Sequence, residues 1–258
     1  MPDVAPLLSV KGIKKRFGAV HALRGVNFDV APGEVVALLG DNGAGKSTLV
    51  KILAGNQSYD EGELIFDGKT VNFSNPTDAK AVGIETVYQD LSLCPNVDVV
   101  ANFFMGREIC KNVLGINILD KKEMTRRTKE ALSDIASAIP DITQTVEHMS
   151  GGQRQAIELS RFIYFGGKLV ILDEPFAALG VEQTRRGLEL IERARAKGIS
   201  IIIITHNMMH AFQVADRVVV LRQGVVAGNY DTRDTTPEEV IGMITGEFAK
   251  QAGMEALA

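Results

Sequence analysis

The string GDNGAGKST, Gly40 to Thr48, constrains this chain more than any other feature. It satisfies G-x-x-x-x-G-K-[ST] through Gly40, Gly45, Lys46 and Ser47, a pattern that background composition produces in about one chain of this length per hundred. On its N-terminal side EVVALL, 34–39, is a short apolar run without helical period, as expected of a strand buried on both faces. On its C-terminal side STLVKILAG reads as a helix stopped at Gly55. Gly40, Gly43 and Gly45 permit positive φ angles. The stretch Asn42, Gly43, Ala44, Gly45, Lys46, Ser47 and Thr48 can therefore turn successive N–H groups inward around an anion. The helix N-terminus adds partial positive charge at the same point. Lys46 is placed to reach the β- and γ-phosphates of a nucleotide, and the Ser47 hydroxyl to ligate Mg²⁺.

Two further strings complete the pattern. LVILDEP, Leu169 to Pro175, is another doubly buried strand ending in two carboxylates. At the carboxyl end of a central parallel strand, where ligands collect, Asp173 can hold Mg²⁺ through water. Glu174 can act as general base, or as orienter, for the water that attacks the γ-phosphate. SGGQ, Ser150 to Gln153, arises by chance in about one chain in three hundred. Ser150 suits a helix N-cap, with Gly151, Gly152 and Gln153 opening the amphipathic run GQRQAIELSRFIYF. That N-terminus is a second anion cradle, separate from the phosphate loop.

In this order the motifs resemble the ATP-binding subunit of ATP-binding-cassette transporters over nearly the whole chain. The resemblance implies ATP and Mg²⁺ as cofactors and adds roles that the residues alone do not supply. Phe17 in KRFGAVHAL falls where the family stacks an aromatic ring on adenine. Gln89 in TVYQD matches the loop glutamine that senses the γ-phosphate and Mg²⁺. Ser150, Gly151, Gly152 and Gln153 match the signature motif, and His206 in ITHN matches the switch histidine. It also implies a homodimer, each nucleotide lying between the phosphate loop of one copy and the signature of the other. ATP then holds the pair together and hydrolysis releases it.

Composition bounds the class. A chain of 258 residues accommodates one large α/β core with a smaller lobe. The net charge of −4 argues against a broad nucleic-acid footprint. Cys94 and Cys110 have no metal or disulfide spacing and fit a reducing cytosol. MPDVAPLLSV has neither the charged start nor the apolar stretch of a secretory signal. The strongest apolar run, Ile199 to Thr205, is strand-sized and far short of a membrane span. These features lead to an expected soluble protein; the resemblance implies that it acts at the cytoplasmic face of the plasma membrane by docking on integral-membrane subunits.

The expected fold is α/β: a phosphate-loop NTPase core with a mostly parallel sheet, an antiparallel β subdomain and an inserted helical lobe. Core and β subdomain fall at 1–89 and 155–235, the lobe with the signature at 90–154, and a C-terminal helix and tail at 236–258. Asp67–Gly68 reads as a hairpin turn. In the lobe strand signals fade, and KKEMTRRTKEALSDIASAI aligns Met124, Ala131, Leu132, Ile135 and Ile139 on one helical face.

Within the family, the stretches DEGELIFDGK, IETVYQDLSLCPNVDV and NFFMGREI are similar to monosaccharide importers of the ribose, xylose and fructose type. The expected partners are membrane permease subunits and, indirectly, a periplasmic sugar-binding protein; nucleic acid is not among them. An exporter's ATPase, or a soluble cassette ATPase acting on nucleic acid or ribosomes, are the alternatives. One departure stands out: Ala178-Leu179-Gly180 replaces the usual Ala-Leu-Asp, which the resemblance connects with coupling of the two sites across the dimer.

Overall fold

A computed structural model describes residues 5–87, 93–133, 139, 141–177 and 179–247. Along the chain run β1 (Leu8–Phe17), β2 (Val20–Val30), β3 (Val35–Leu39), α1 (Lys46–Leu53), β4 (Glu61–Phe66), β5 (Lys69–Thr70), α2 (Pro76–Val82) and β6 (Ile84–Val87). There follow α3 (Val99–Phe104), β7 (Cys110–Val113), β8 (Ile116–Leu119), α4 (Lys121–Leu132), α5 (Gly151–Phe165) and β9 (Leu169–Asp173). The chain closes with α6 (Val181–Ala196), β10 (Ser200–Ile204), α7 (Met208–Val214), β11 (Arg217–Arg222), β12 (Val225–Asp231) and α8 (Pro237–Thr245). Two compact units result, one of Met1–Thr86, Gly166–Glu174 and Ile191–Ala258, the other of Val87–Phe165 and Pro175–Leu190.

The first unit is built on a six-stranded sheet in the order β12-β11-β3-β10-β9-β6. Its centre is the set of apolar runs VVALL, LVIL and SIIII, all buried, as strands covered on both faces must be. β10 is parallel to β3 and to β9, and β11 to β3, while β12 pairs antiparallel at one edge. The register sets Leu38 beside Ile204 and Ile204 beside Asp173. The carboxyl ends of β3, β9 and β10 therefore finish level, and their three following loops leave from one edge. The second sheet, antiparallel in the order β2-β1-β4-β5, is the expected β subdomain. Asp67 and Gly68 turn β4 into β5 with φ of 50° and 73°, the positive pair of a type I′ hairpin. Arg217 joins the two sheets: its guanidinium donates to Glu34 Oε1 at 2.7 Å, to the Asp29 carbonyl at 2.5 Å and to Asn229 Oδ1 at 2.7 Å.

The second unit is mainly helical. Phe103 and Phe104 of α3 meet Tyr164 and Phe165 of α5 with ring centroids 5.3–6.3 Å apart, an apolar hub in tilted and edge-on geometry. Asn102 is buried but satisfied, accepting from the Cys94 N–H at 2.7 Å and donating to the Cys94 carbonyl at 2.9 Å. On α4, Met124 and Leu132 are buried as expected and Thr128 lies between them, while Ala131 is only half-buried; Ile139 beyond the helix is buried and Ile135 lies outside the described residues. The fading of strand signals in this region is corrected by the hairpin β7–β8. All eight of its strand residues are exposed, so no buried face imposes an apolar alternation. Its turn is Leu114–Gly115, with φ of 53° and 86°, instead of the Asn-Gly or Asp-Gly that advertises such a turn.

Candidate functional site

The phosphate loop spans the gap between β3 and α1, and its shape follows from two glycines. A Cβ on Gly40 would lie 2.3 Å from the Leu221 carbonyl oxygen, and one on Gly45 2.7 Å from that of Ala22. Only glycine lets the loop pass this close to β11 and β2. Gly45, with φ of 106°, is the N-cap of α1 and offers no side chain to its N–H groups. The loop closes around its own lysine: Lys46 Nζ donates to the carbonyls of Gly40 and Asp41 at 2.7 and 2.9 Å. The ammonium is thereby fixed at the start of α1.

β9 delivers the two carboxylates and β10 the histidine. Glu174 donates its N–H to the Ile204 carbonyl at 2.9 Å and adopts φ of 51°, a left-handed conformation disfavoured for a residue with a Cβ. That turn carries its Oε1 to within 3.0 Å of His206 Nδ1. The glutamate side chain is 16% exposed and the histidine 80%, so a sheltered carboxylate meets an imidazole open to solvent. Asn207 accepts the His210 N–H at 3.2 Å and caps α7, which sets His210 one helical turn beyond His206.

The electrostatics of these groups are coupled. Burial pushes the Lys46 ammonium below its ordinary 10.5, opposed by the carboxylates of Glu174, Asp41 and Asp173. Burial also raises Asp173 above its ordinary 3.8, with the Glu174 charge adding and Lys46 opposing. His210 is lowered by burial and by His206, against the pull of Glu174. The site thus holds a cation and carboxylates at a cost in desolvation, a common condition of functional sites.

Lys46, Asp173, Glu174 and His206 are therefore gathered at one sheet edge of the first unit. Ser47 and Thr48 stand in the first turn of α1, and Asn42, Gly43 and Ala44 in the loop before it. Ser47 and Asp173 are hard oxygen donors that suit Mg²⁺. Among the described residues no three His, Cys, Asp or Glu form a cage; Mg²⁺ commonly completes its shell with waters and substrate phosphates. Phe17 ends β1 and is 47% exposed. A cleft of about 970 Å³ opens beside Gly43, with Lys15, Arg16, His21, Arg24 and Asp60 in its wall. Gln89 lies outside the described residues.

The signature belongs to the second unit. Ser150 Oγ accepts the Gln153 N–H at 3.2 Å, and Gln153 Oε1 accepts the Ser150 N–H at 2.9 Å. This reciprocal capping box fixes the start of α5 and occupies the Gln153 side chain with its own helix end. Met149 is buried beneath it. Gly180 is the N-cap of α6, its carbonyl accepting the Thr184 N–H at 2.9 Å. No motif position marks Asp41 or His210. Asp41 occupies a wildcard position of the loop pattern and carries no signal, whereas the spacing of four residues after His206 could have marked His210.

Comparison with known proteins agrees with this arrangement. The family model described as ABC transporter matches residues 23–177, more than half the chain. The chain is 45% identical over 242 residues to the xylose/arabinose import ATP-binding protein XylG of Sulfolobus acidocaldarius, covering 94% of this chain and 95% of that protein. It is 44% identical over 257 residues to the fructose import ATP-binding protein FrcA of Rhizobium meliloti, covering 98% of each. The fold matches the ATP-binding cassette MJ1267 in its ADP conformation, with a TM-score of 0.77 at 23% identity over 97% of this chain and 99% of that one. The phosphate loop, the paired carboxylates and the capped signature helix accordingly stand in a chain that belongs to the ABC transporter family, as an ATP-binding domain of that family.

Proposed function

We propose that this chain hydrolyses ATP to power the import of a monosaccharide through integral-membrane permease subunits. The observation that carries the reading is the meeting of Glu174 and His206 at 3.0 Å beside Lys46. Lys46 holds the β- and γ-phosphates by charge-assisted hydrogen bonds, together with the N–H groups of the loop from Asn42 to Thr48. Glu174 orients the attacking water and takes up its proton, and His206 keeps that carboxylate aimed. Ser47 and Asp173, with Gln89, are the residues to hold Mg²⁺, which supplies charge neutralisation when bound. Phe17 stacks on the adenine base.

Ser150, Gly151, Gly152 and Gln153 form a second anion cradle that one nucleotide in the phosphate loop leaves unused. We assign it to the nucleotide of a second copy, so that a head-to-tail homodimer encloses two ATP molecules and reopens after hydrolysis. Sugar import is supported by the two relatives of nearly equal length, named for xylose or arabinose and for fructose. Among the described residues no helix is long and apolar enough to cross a membrane. The path for the sugar is therefore assigned to other subunits, with this chain peripheral on their cytoplasmic face and a sugar-binding protein acting from the opposite side. In the test, cells lacking this gene take up labelled xylose, arabinose, fructose and ribose, with and without the wild-type chain and Glu174→Gln. Restoration of at least one uptake by wild type and not by the variant is expected. Uptake of all four independent of the gene would overturn the import reading.

A further inference from the structure

Lys15 is buried on β1, an uncommon place for a lysine. Its ammonium stands over the Phe17 ring, 5.6 Å from the centroid. Asp60 keeps it there: Lys15 Nζ donates to Asp60 Oδ1 at 2.8 Å and to Ser58 Oγ at 3.5 Å. The second Asp60 oxygen accepts the Arg16 N–H at 2.7 Å, and the Asp60 N–H donates to the Lys14 carbonyl at 2.9 Å. One aspartate thus clamps three successive residues of β1, at the point where its register with β2 shifts between Lys15 and Arg16.

The consequence for Phe17 is asymmetric. Its ring has two faces, and the cation stands over one of them. A cation on one face also draws π density toward itself and makes the opposite face more receptive to a second aromatic system. Lys15 and Asp60 further wall the cleft that reaches Gly43 of the phosphate loop.

We propose that Lys15, held by Asp60, is the positioning residue of the base platform: it closes one face of Phe17 and polarises the ring, so that adenine stacks on the other face. The inference rests on the reading of Phe17 as the base-stacking residue.

Affinities of the full-length chain for ATP and for inorganic tripolyphosphate separate the two ideas. Lys15→Met keeps the alkyl stem and removes the charge; it is expected to weaken ATP about three- to tenfold and to leave tripolyphosphate unchanged. Lys15→Arg is expected to restore most of the loss, and the KM for ATP to rise in Lys15→Met with kcat unchanged. Equal weakening of ATP and tripolyphosphate by Lys15→Met, or no weakening of ATP, would overturn the proposal. Phe17→Ala reports on the parent reading: if it leaves ATP affinity intact, the platform itself is wrong. If it weakens ATP while Lys15→Met does not, the platform stands and the role of Lys15 falls.

Discussion

Glu174 Oε1 and His206 Nδ1 lie 3.0 Å apart although 32 residues separate them in the chain. Two neighbouring parallel strands deliver the pair, because β9 and β10 align Asp173 with Ile204 and so end level. The backbone of that glutamate is itself held in the left-handed region. On the proposed roles, the two residues are expected to act as one unit in turnover and to contribute little to nucleotide affinity.

Glu174→Gln is accordingly expected to lower kcat by about 10²- to 10⁴-fold, the usual range for a lost general base. His206→Ala, which leaves the carboxylate present but unaimed, is expected to cost roughly ten- to a hundredfold. The double variant should fall no lower than Glu174→Gln alone, as the proposed action of the histidine through the glutamate requires. Steady-state ATPase rates beside equilibrium ATP binding check this; additive losses would separate the two roles.

The conformation of Glu174 has a stability cost that a pair of variants exposes. Alanine keeps the left-handed strain of about 1–2 kcal/mol and glycine relieves it. Glycine loses more chain entropy on folding, about 0.5–1 kcal/mol. Glu174→Gly is therefore expected to be more stable than Glu174→Ala by roughly 1 kcal/mol, the reverse of the order at an ordinary position, with both inactive. Urea unfolding midpoints of the nucleotide-free proteins measure the difference.

Lys46 gives a dependence on pH. Burial lowers its pKa below 10.5, and a bound phosphate favours its charged form. The free protein therefore loses the proton at a lower pH than the complex does. Affinity for tripolyphosphate is expected to fall as pH rises through that lowered pKa, before 10.5 is reached. Stability of the free protein moves oppositely, since the unfolded chain then binds more protons than the folded one and the cost of burying the cation is relieved. Lys46→Arg, charged throughout, should show neither change in this window; titration calorimetry and urea unfolding across alkaline pH decide both.

The parts of this architecture that were legible in the sequence are those that bury themselves. VVALL, LVIL and SIIII are each strand-length apolar runs, and their burial on two faces follows from composition alone. Asp67–Gly68 named its own turn. The β7–β8 hairpin was not legible, because strands with every residue exposed leave no period to read. Glu174 and His206 were each recognisable by motif, yet their contact depends on strand register, which neither local string encodes. Lys15 was hidden for a related reason: a lysine at a strand end reads as solvated, and only the fold brings Asp60 to it. Ser150 announced a cap, and the reciprocal bond from Gln153 required the helix to exist first.

Gly180 stands where the resemblance leads one to expect aspartate, and the fold leaves room for that side chain. As N-cap of α6 it occupies a position where aspartate exceeds glycine by only a few tenths of a kcal/mol. A Cβ there would lie 2.7 Å from Gln183 Oε1, the far end of a flexible side chain that can rotate away. Gly180→Asp is thus expected to fold with stability within about 0.5 kcal/mol of wild type. If the glycine loosens coupling between the two sites of a dimer, the variant should raise the Hill coefficient of ATP hydrolysis while leaving ATP affinity in the monomer unchanged. A variant of unaltered stability and unaltered cooperativity would show that this cap plays no part in coupling. A large loss of stability would show instead that the glycine is present for space.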